Sequence, residues 1–234
     1  MSETRMAWDG FRVFTPERSW ALALRLVAPP IRHFSDMRIW GRERIPRSGP
    51  VILAANHQSF YDIFVLGAVM QRPLHYMAKQ ELFRNVAVRR FLPHTGAFPV
   101  RRGEVDRGAI DSAREVLARG GILGIFVDGT RHHGTGLGEV RAGAAMIASM
   151  ANAPIVPVWI NGTDRLADAP RTPISVTFGR PMTVEGRGSK VYRAASEDLG
   201  AHLRQLQSFA ESAERAGRPK DAVPPEWPTK ETSA

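Results

Sequence analysis

The chain has 234 residues, 43% hydrophobic and 24% charged, which excludes wholesale disorder and a bundle of membrane spans and supports one full hydrophobic core. It contains no cysteine, which excludes a disulfide scaffold, a Cys-based zinc site and a thiol nucleophile. Lys and Arg number 32 against 23 Asp and Glu, and this net charge of +9 points to an anionic partner: nucleic acid, a membrane surface or a phosphorylated small molecule.

No small-residue cleavage site follows an apolar core near the N-terminus, so no secretory signal is expected. Residues 1–35 carry one helical stretch, Trp20 to Leu24, then Arg25, then Leu26 to Pro30. A bilayer crossing needs about 20 apolar residues, so this stretch is too short. Two readings stand side by side. The helix packs on the domain, or it lies in the lipid interface with Trp20 at the headgroups and Arg18, Arg25 and Arg32 reaching to anionic lipid.

Strand and helix patterns then alternate over residues 36–216. Pro50–Ala55 reads as a buried strand after the turn signal Arg47-Ser-Gly49, and Ser59–Met70 as a helix with Ser59 as its N-cap. Leu74–Ala78 and Gly96–Val100 read as strands, and Glu104–Arg119 as a helix ending at Gly120-Gly121. Gly121–Phe126 is a further strand, followed by a glycine-dense loop from Gly129 to Gly138. A small-residue helix over Arg141–Met150 precedes a strand over Ala153–Ile160, whose prolines suggest a sheet edge or a bend beside a pocket. Ile174–Phe178 is the last strand and Ser189–Ala216 the last helix. Residues 217–234 are Pro-rich, polar and charge-balanced, and read as a flexible tail. The alternation implies a single α/β domain with a central, mostly parallel or mixed sheet flanked by helices.

No G-x-S-x-G elbow, phosphate-binding P-loop or G-x-G-x-x-G fingerprint is present. Asn56-His57-Gln58-Ser59-Phe60-Tyr61-Asp62 follows directly on a buried strand, where ligands meet strand ends. Asp62 can reach back to one nitrogen of His57 and fix its tautomer, leaving the other nitrogen as a base. This is base and orienter without a protein nucleophile, so the nucleophile would be a substrate hydroxyl. The spacing alone is weak; the blocks after it carry more weight. Gly96 to Gly103 delivers Arg101 and Arg102 at a strand end, where forked guanidinium groups suit a phosphate. Phe126-Val-Asp-Gly-Thr-Arg131, again at a strand end, runs into the glycine loop and Arg141. Glycine lets backbone N–H groups approach an anion closely. Ala153-Pro-Ile-Val-Pro-Val158 is the fourth block. His132 and His133 follow Arg131, but adjacent residues on a strand point apart, and no metal is expected there. His33, His94 and His202 read as surface groups.

Those four blocks, in that order over roughly residues 36–186, resemble the glycerolipid (lysophospholipid) acyltransferases, such as the 1-acylglycerol-3-phosphate acyltransferases. The resemblance implies that His57 deprotonates the acceptor hydroxyl and Asp62 orients it, with direct attack on the thioester of acyl-CoA or acyl carrier protein. It implies phosphate binding through Arg101, Arg102, Asp128, Gly129, Thr130 and Arg131, with Asn56, Arg141 and Pro157 as further site positions. It implies no cofactor beyond the acyl donor and no metal, a lysophospholipid acceptor, and peripheral attachment to an anionic membrane on its cytoplasmic face. Two departures bear on the acceptor: Val127-Asp128 stands where the family has Pro-Glu, and Arg101 where an acidic residue is common. A different acceptor is therefore one alternative. A non-catalytic basic protein is the other, but the Arg residues stand at strand ends with no aromatic-interleaved basic helix, so nucleic acid is not expected.

Overall fold

Val51–Ala55 (β2) is five apolar residues without a polar break, and a strand of that kind is stable only where both faces are covered. The computed structural model, which describes residues 17–101, 106–128, 136–166, 168–169 and 171–227, places it at the middle of a seven-stranded sheet. The other strands are β1 (Ser35–Trp40), β3 (Leu74–Lys79), β4 (Ala97–Val100), β5 (Ile122–Phe126), β6 (Ile155–Asn161) and β7 (Thr172–Phe178). The helices are α1 (Glu17–Phe34), α2 (Asp62–Val69), α3 (Val86–Phe91), α4 (Arg107–Ala118), α5 (Gly143–Ala151) and α6 (Ser189–Arg215). Strand order is β1-β7-β6-β2-β5-β3-β4. The run from β6 to β4 is parallel, β7 is antiparallel to β6, and β1 runs alongside β7. The expected α/β architecture with a mostly parallel, mixed sheet is therefore what the chain adopts.

The strand period of two sorts the core into two layers. Val51, Leu53 and Ala55 join Val156, Val158 and Ile160 under α1 and α2. Ile52 and Ala54 join Leu123, Ile155 and Trp159 under α4, α5 and α6. Gly96 fixes the start of β4: its φ is +86°, and a Cβ there would collide with the carbonyl oxygen of Leu74.

Several expectations are corrected. Trp20 is buried in the layer beneath α1 rather than standing at a headgroup level, so the inner face of α1 packs on the domain. The helix expected from Ser59 begins at Asp62, because the Ser59 hydroxyl accepts from the Tyr61 N–H and the preceding backbone turns around the Asp62 carboxylate. β6 is an interior strand, not an edge. Between the pairs Ile155↔Met182 and Val158↔Phe178, three steps on β6 face four on the partner, so a one-residue bulge lies opposite Pro157 and no N–H is needed there. β1 and α3 had no counterpart in the sequence reading.

The residues expected to be a loose tail are tied down as far as Trp227. Arg218 donates to the Asp36 carboxylate and to the carbonyls of Asp36 and Ile174. Trp40 Nε1 donates to the Pro219 carbonyl at 2.8 Å, and Arg44 holds the carbonyls of Pro224 and Pro225. A Pro-rich strap cannot extend the ladder, so side-chain donors hold it along the β1 side and cover a sheet edge. His202, expected at the surface, is buried edge-on against Trp227, with ring centroids 3.8 Å apart.

Candidate active site

β2 ends at Ala55, and the next two residues divide the work. Asn56 accepts from the Ile160 N–H at 2.8 Å and donates to the Ile160 carbonyl at 2.9 Å, so its side-chain amide clamps the end of β2 to β6. Its role is to fix the backbone, and its polar atoms are engaged there rather than by a ligand. His57 turns to the opposite face, where its ring stacks on Phe126 at the end of β5, centroids 4.0 Å apart and planes 18° apart.

Asp62, at the first turn of α2, is fully buried. Its Oδ2 lies 2.7 Å from His57 Nδ1 and accepts the backbone N–H groups of Gln58 at 2.7 Å and Ser59 at 2.9 Å. Its Oδ1 accepts the hydroxyl of Thr163. A carboxylate surrounded by that many donors acts only as an acceptor, so Nδ1 carries the proton and Nε2 presents its lone pair. The His57 side chain is 7% exposed, and among the described residues none hydrogen-bonds to Nε2. The arrangement is a preoriented base with one open nitrogen.

Thr163 was not anticipated from the sequence. It lies 101 residues from Asp62, and only the adjacency of β6 to β2 brings it there. Gly162, at φ +83°, makes the turn that presents it; a Cβ at that position would strike the Pro173 carbonyl oxygen. The glycine after an apolar strand was the available signal, although it does not name the partner of Thr163.

The expected phosphate group divides. Asp128 is buried and its Oδ2 accepts the His57 N–H at 3.1 Å, so from the end of β5 it braces the backbone of His57. Arg101 is exposed at the end of β4, its N–H bonded to Asp106 Oδ2 at 2.8 Å. β2, β5, β3 and β4 are successive neighbours, which sets Arg101 and His57 about 14 Å apart across the rim at ordinary strand spacing. Arg141 is exposed beside the end of β5, its N–H bonded to the Val127 carbonyl at 3.0 Å. Pro157 stays within β6. Arg102, Gly129, Thr130, Arg131, His132 and His133 lie outside the described residues.

With the base and its orienter in place, comparison with known proteins becomes specific. Residues 36–161 match the Acyltransferase family. The chain belongs to that family. Among its relatives is a 1-acyl-sn-glycerol-3-phosphate acyltransferase from Bacillus subtilis, 34% identical over 127 residues, covering 54% of this chain and 63% of that protein. Another, from Streptococcus pneumoniae, is 32% identical over 136 residues, covering 57% of this chain and 50% of that protein. The chain thus spans about half to three fifths of the length of these relatives. Its fold is similar to that of the 1-acyl-sn-glycerophosphate (LPA) acyltransferase PlsC from Thermotoga maritima. The TM-score is 0.64 at 24% identity, over 82% of this chain and 83% of that one.

Proposed function

We propose that this acyltransferase transfers a fatty acyl group from acyl-CoA or acyl carrier protein to the free hydroxyl of a lysophospholipid, 1-acylglycerol 3-phosphate first, giving phosphatidic acid. The observation that carries this is a histidine whose Nδ1 is held by a buried carboxylate and whose Nε2 is unoccupied among the described residues. Nε2 takes the proton of the acceptor hydroxyl as its oxygen attacks the thioester carbonyl carbon. The tetrahedral adduct then collapses, the C–S bond breaks, and the imidazolium returns the proton to the leaving thiolate. No acyl-enzyme forms. Asp62 orients the ring and offsets the charge it acquires. Arg101, Arg102, Arg131 and Arg141 supply cations for the acceptor phosphate, with Gly129 and Thr130 adding donors.

Among the described residues no helix is long and apolar enough to cross a membrane. The outer face of α1 exposes Leu22, Leu26 and Phe34 beside Arg18, Arg25 and Arg32, a mixture that suits peripheral attachment to the surface of an anionic bilayer, at its cytoplasmic face.

The test is thiol release from palmitoyl-CoA with lysophosphatidic acid, for the wild type and His57→Ala. General-base catalysis contributes about 10²–10⁴-fold, and a loss of that size with the fold intact is expected. An unimpaired His57→Ala variant removes the mechanism. Arg101 in place of a common acidic residue favours a second reading with another acceptor, and equal turnover of a neutral alcohol would establish it.

A further inference from the structure

The segment from Lys79 to Phe91 has an outer surface that the chemistry at His57 does not use. It leaves β3 at the rim where β2 delivers His57, since β2, β5 and β3 are parallel and adjacent. A 3-10 turn over Gln80–Arg84 leads into α3, whose first turn is capped by Asn85, its side-chain oxygen accepting the N–H groups of Ala87 and Val88. Phe83 points inward and packs with Tyr76, Ala78 and Ala97, and with Ile63 one residue beyond Asp62. Its neighbours point outward: Leu82 is 43% exposed, Val86 74% and Phe91 42%. Around them stand Lys79, Arg84, Arg89 and Arg90, all exposed, against the single acid Glu81.

Three large apolar side chains held in water amid a local charge of +3 fit an anionic apolar partner. A bilayer bearing anionic headgroups has both properties. The segment also adjoins α1, because the 3-10 turn Leu92–Thr95 touches both α1 and α3. A surface spanning two elements is broader than one docking helix needs, which favours a lipid plane over an acidic protein. We infer that Lys79–Phe91 is a second membrane-docking element, its Leu82, Val86 and Phe91 side chains entering the headgroup region while Arg84, Arg89 and Arg90 bind lipid phosphates. It rests on the lipid-acyltransferase reading and adds to it. With α1 and this segment both seated, the rim carrying His57 faces the leaflet that holds the acceptor.

The chain has no cysteine, so Val86→Cys can be labelled at a single site with a polarity-sensitive fluorophore. Lys190→Cys, in the first turn of α6, serves as the control. Vesicles of phosphatidylcholine with 25% phosphatidylglycerol are added to the full-length protein, without substrate. The Val86 probe is expected to shift to the blue and the Lys190 probe to stay unchanged. Each basic side chain at an anionic surface contributes about fivefold to partitioning, so Arg89→Gln with Arg90→Gln should lower vesicle binding about 25-fold. These exposed substitutions leave the circular dichroism unchanged. Vesicle binding with an unshifted Val86 probe overturns the inference, because docking then runs through α1 alone. A shift with acyl carrier protein but not with vesicles overturns it in favour of an acidic protein. Thiol release from lysophosphatidic acid micelles by a protein that binds no vesicles also overturns it, and leaves the enzymatic reading intact. Vesicle-driven blue shift without thiol release supports the docking element and removes the enzymatic reading instead.

Discussion

Asp62→Asn separates the two services that Asp62 performs for His57. Three donors converge on Oδ2: His57 Nδ1 at 2.7 Å, Gln58 N–H at 2.7 Å and Ser59 N–H at 2.9 Å. The amide nitrogen of an asparagine cannot sit among them, so its oxygen takes that place and its NH₂ turns to Thr163, whose hydroxyl rotates to accept. Nδ1 keeps its acceptor and Nε2 stays the base. What disappears is the negative charge beside an imidazolium as it forms. Unit charges 4 Å apart interact by about 4 kcal/mol at an effective dielectric constant of 20, which is the upper bound. The difference between a charged and a neutral hydrogen bond, about 1–1.5 kcal/mol, is the lower one. The expected fall in kcat is therefore about 10- to 10³-fold with little change in KM. Thiol release at saturating acceptor, beside a thermal melt to verify the fold, measures it. An Asp62→Asn enzyme within twofold of wild type would mean that His57 gains no charge in the rate-limiting step. One as inactive as His57→Ala, with the fold intact, would mean that the amide flipped and the tautomer changed, contrary to the donor geometry.

Thr163→Val removes one donor from Asp62 without changing side-chain shape much, and kcat should fall about 10- to 150-fold, the worth of one hydrogen bond to a charged group; unchanged turnover would show that Thr163 does not hold the carboxylate. Burial pushes His75 down from 6.5 to about 4, so the unfolded chain takes up a proton that the folded chain cannot. Stability should therefore be complete above pH 6.5 and fall by about 3 kcal/mol as pH drops towards 4, a slope that urea melts should find absent in a folded His75→Leu variant. Arg218→Ala should lower stability by about 2–3 kcal/mol, or roughly 5–10 °C in Tm, by releasing the C-terminal strap from Asp36 and Ile174; an unchanged Tm would show that the strap adds nothing.

The parallel centre of the sheet was legible because β2, β5 and β6 are short apolar runs bounded by turn residues, and burial on both faces demands that pattern. β1 was not, because Ser35-Asp-Met-Arg-Ile-Trp40 intersperses polar groups on a half-buried edge strand and leaves no clear period. The strap from Arg218 was hidden for a different reason. Its own composition builds no core, and the donors that hold it, Trp40 and Arg44, lie about 180 residues earlier. His57 and Asp62 were readable because they are five residues apart and share one turn of chain. The contact that Asp128 makes with the His57 backbone was not legible. Its place at a strand end beside a glycine loop suggested an anion site, and only the register of β5 against β2 shows its carboxylate meeting the His57 N–H.

That register explains why the base sits where it does. β2 lies between β5 and β6, and the chain at the end of each neighbour sends groups across the gap to Asn56, His57 and Asp62. β5 contributes Phe126 against the ring and Asp128 against the His57 N–H. β6 contributes the Ile160 backbone that holds Asn56 and, one turn later, the Thr163 hydroxyl on Asp62. The imidazole is thus fixed in position, plane and tautomer before any substrate arrives, and no reorganisation is needed at the moment of proton transfer. In the proposed reaction such fixation matters most, because the nucleophile is borrowed from the substrate. Water is always the rival acceptor of a thioester. A ring stacked on Phe126 and exposed by only 7% offers water few approaches, whereas an alcohol anchored by its phosphate some distance away is held in one. In the proposed reaction, selection of lipid over water would then come from the same packing that aims His57.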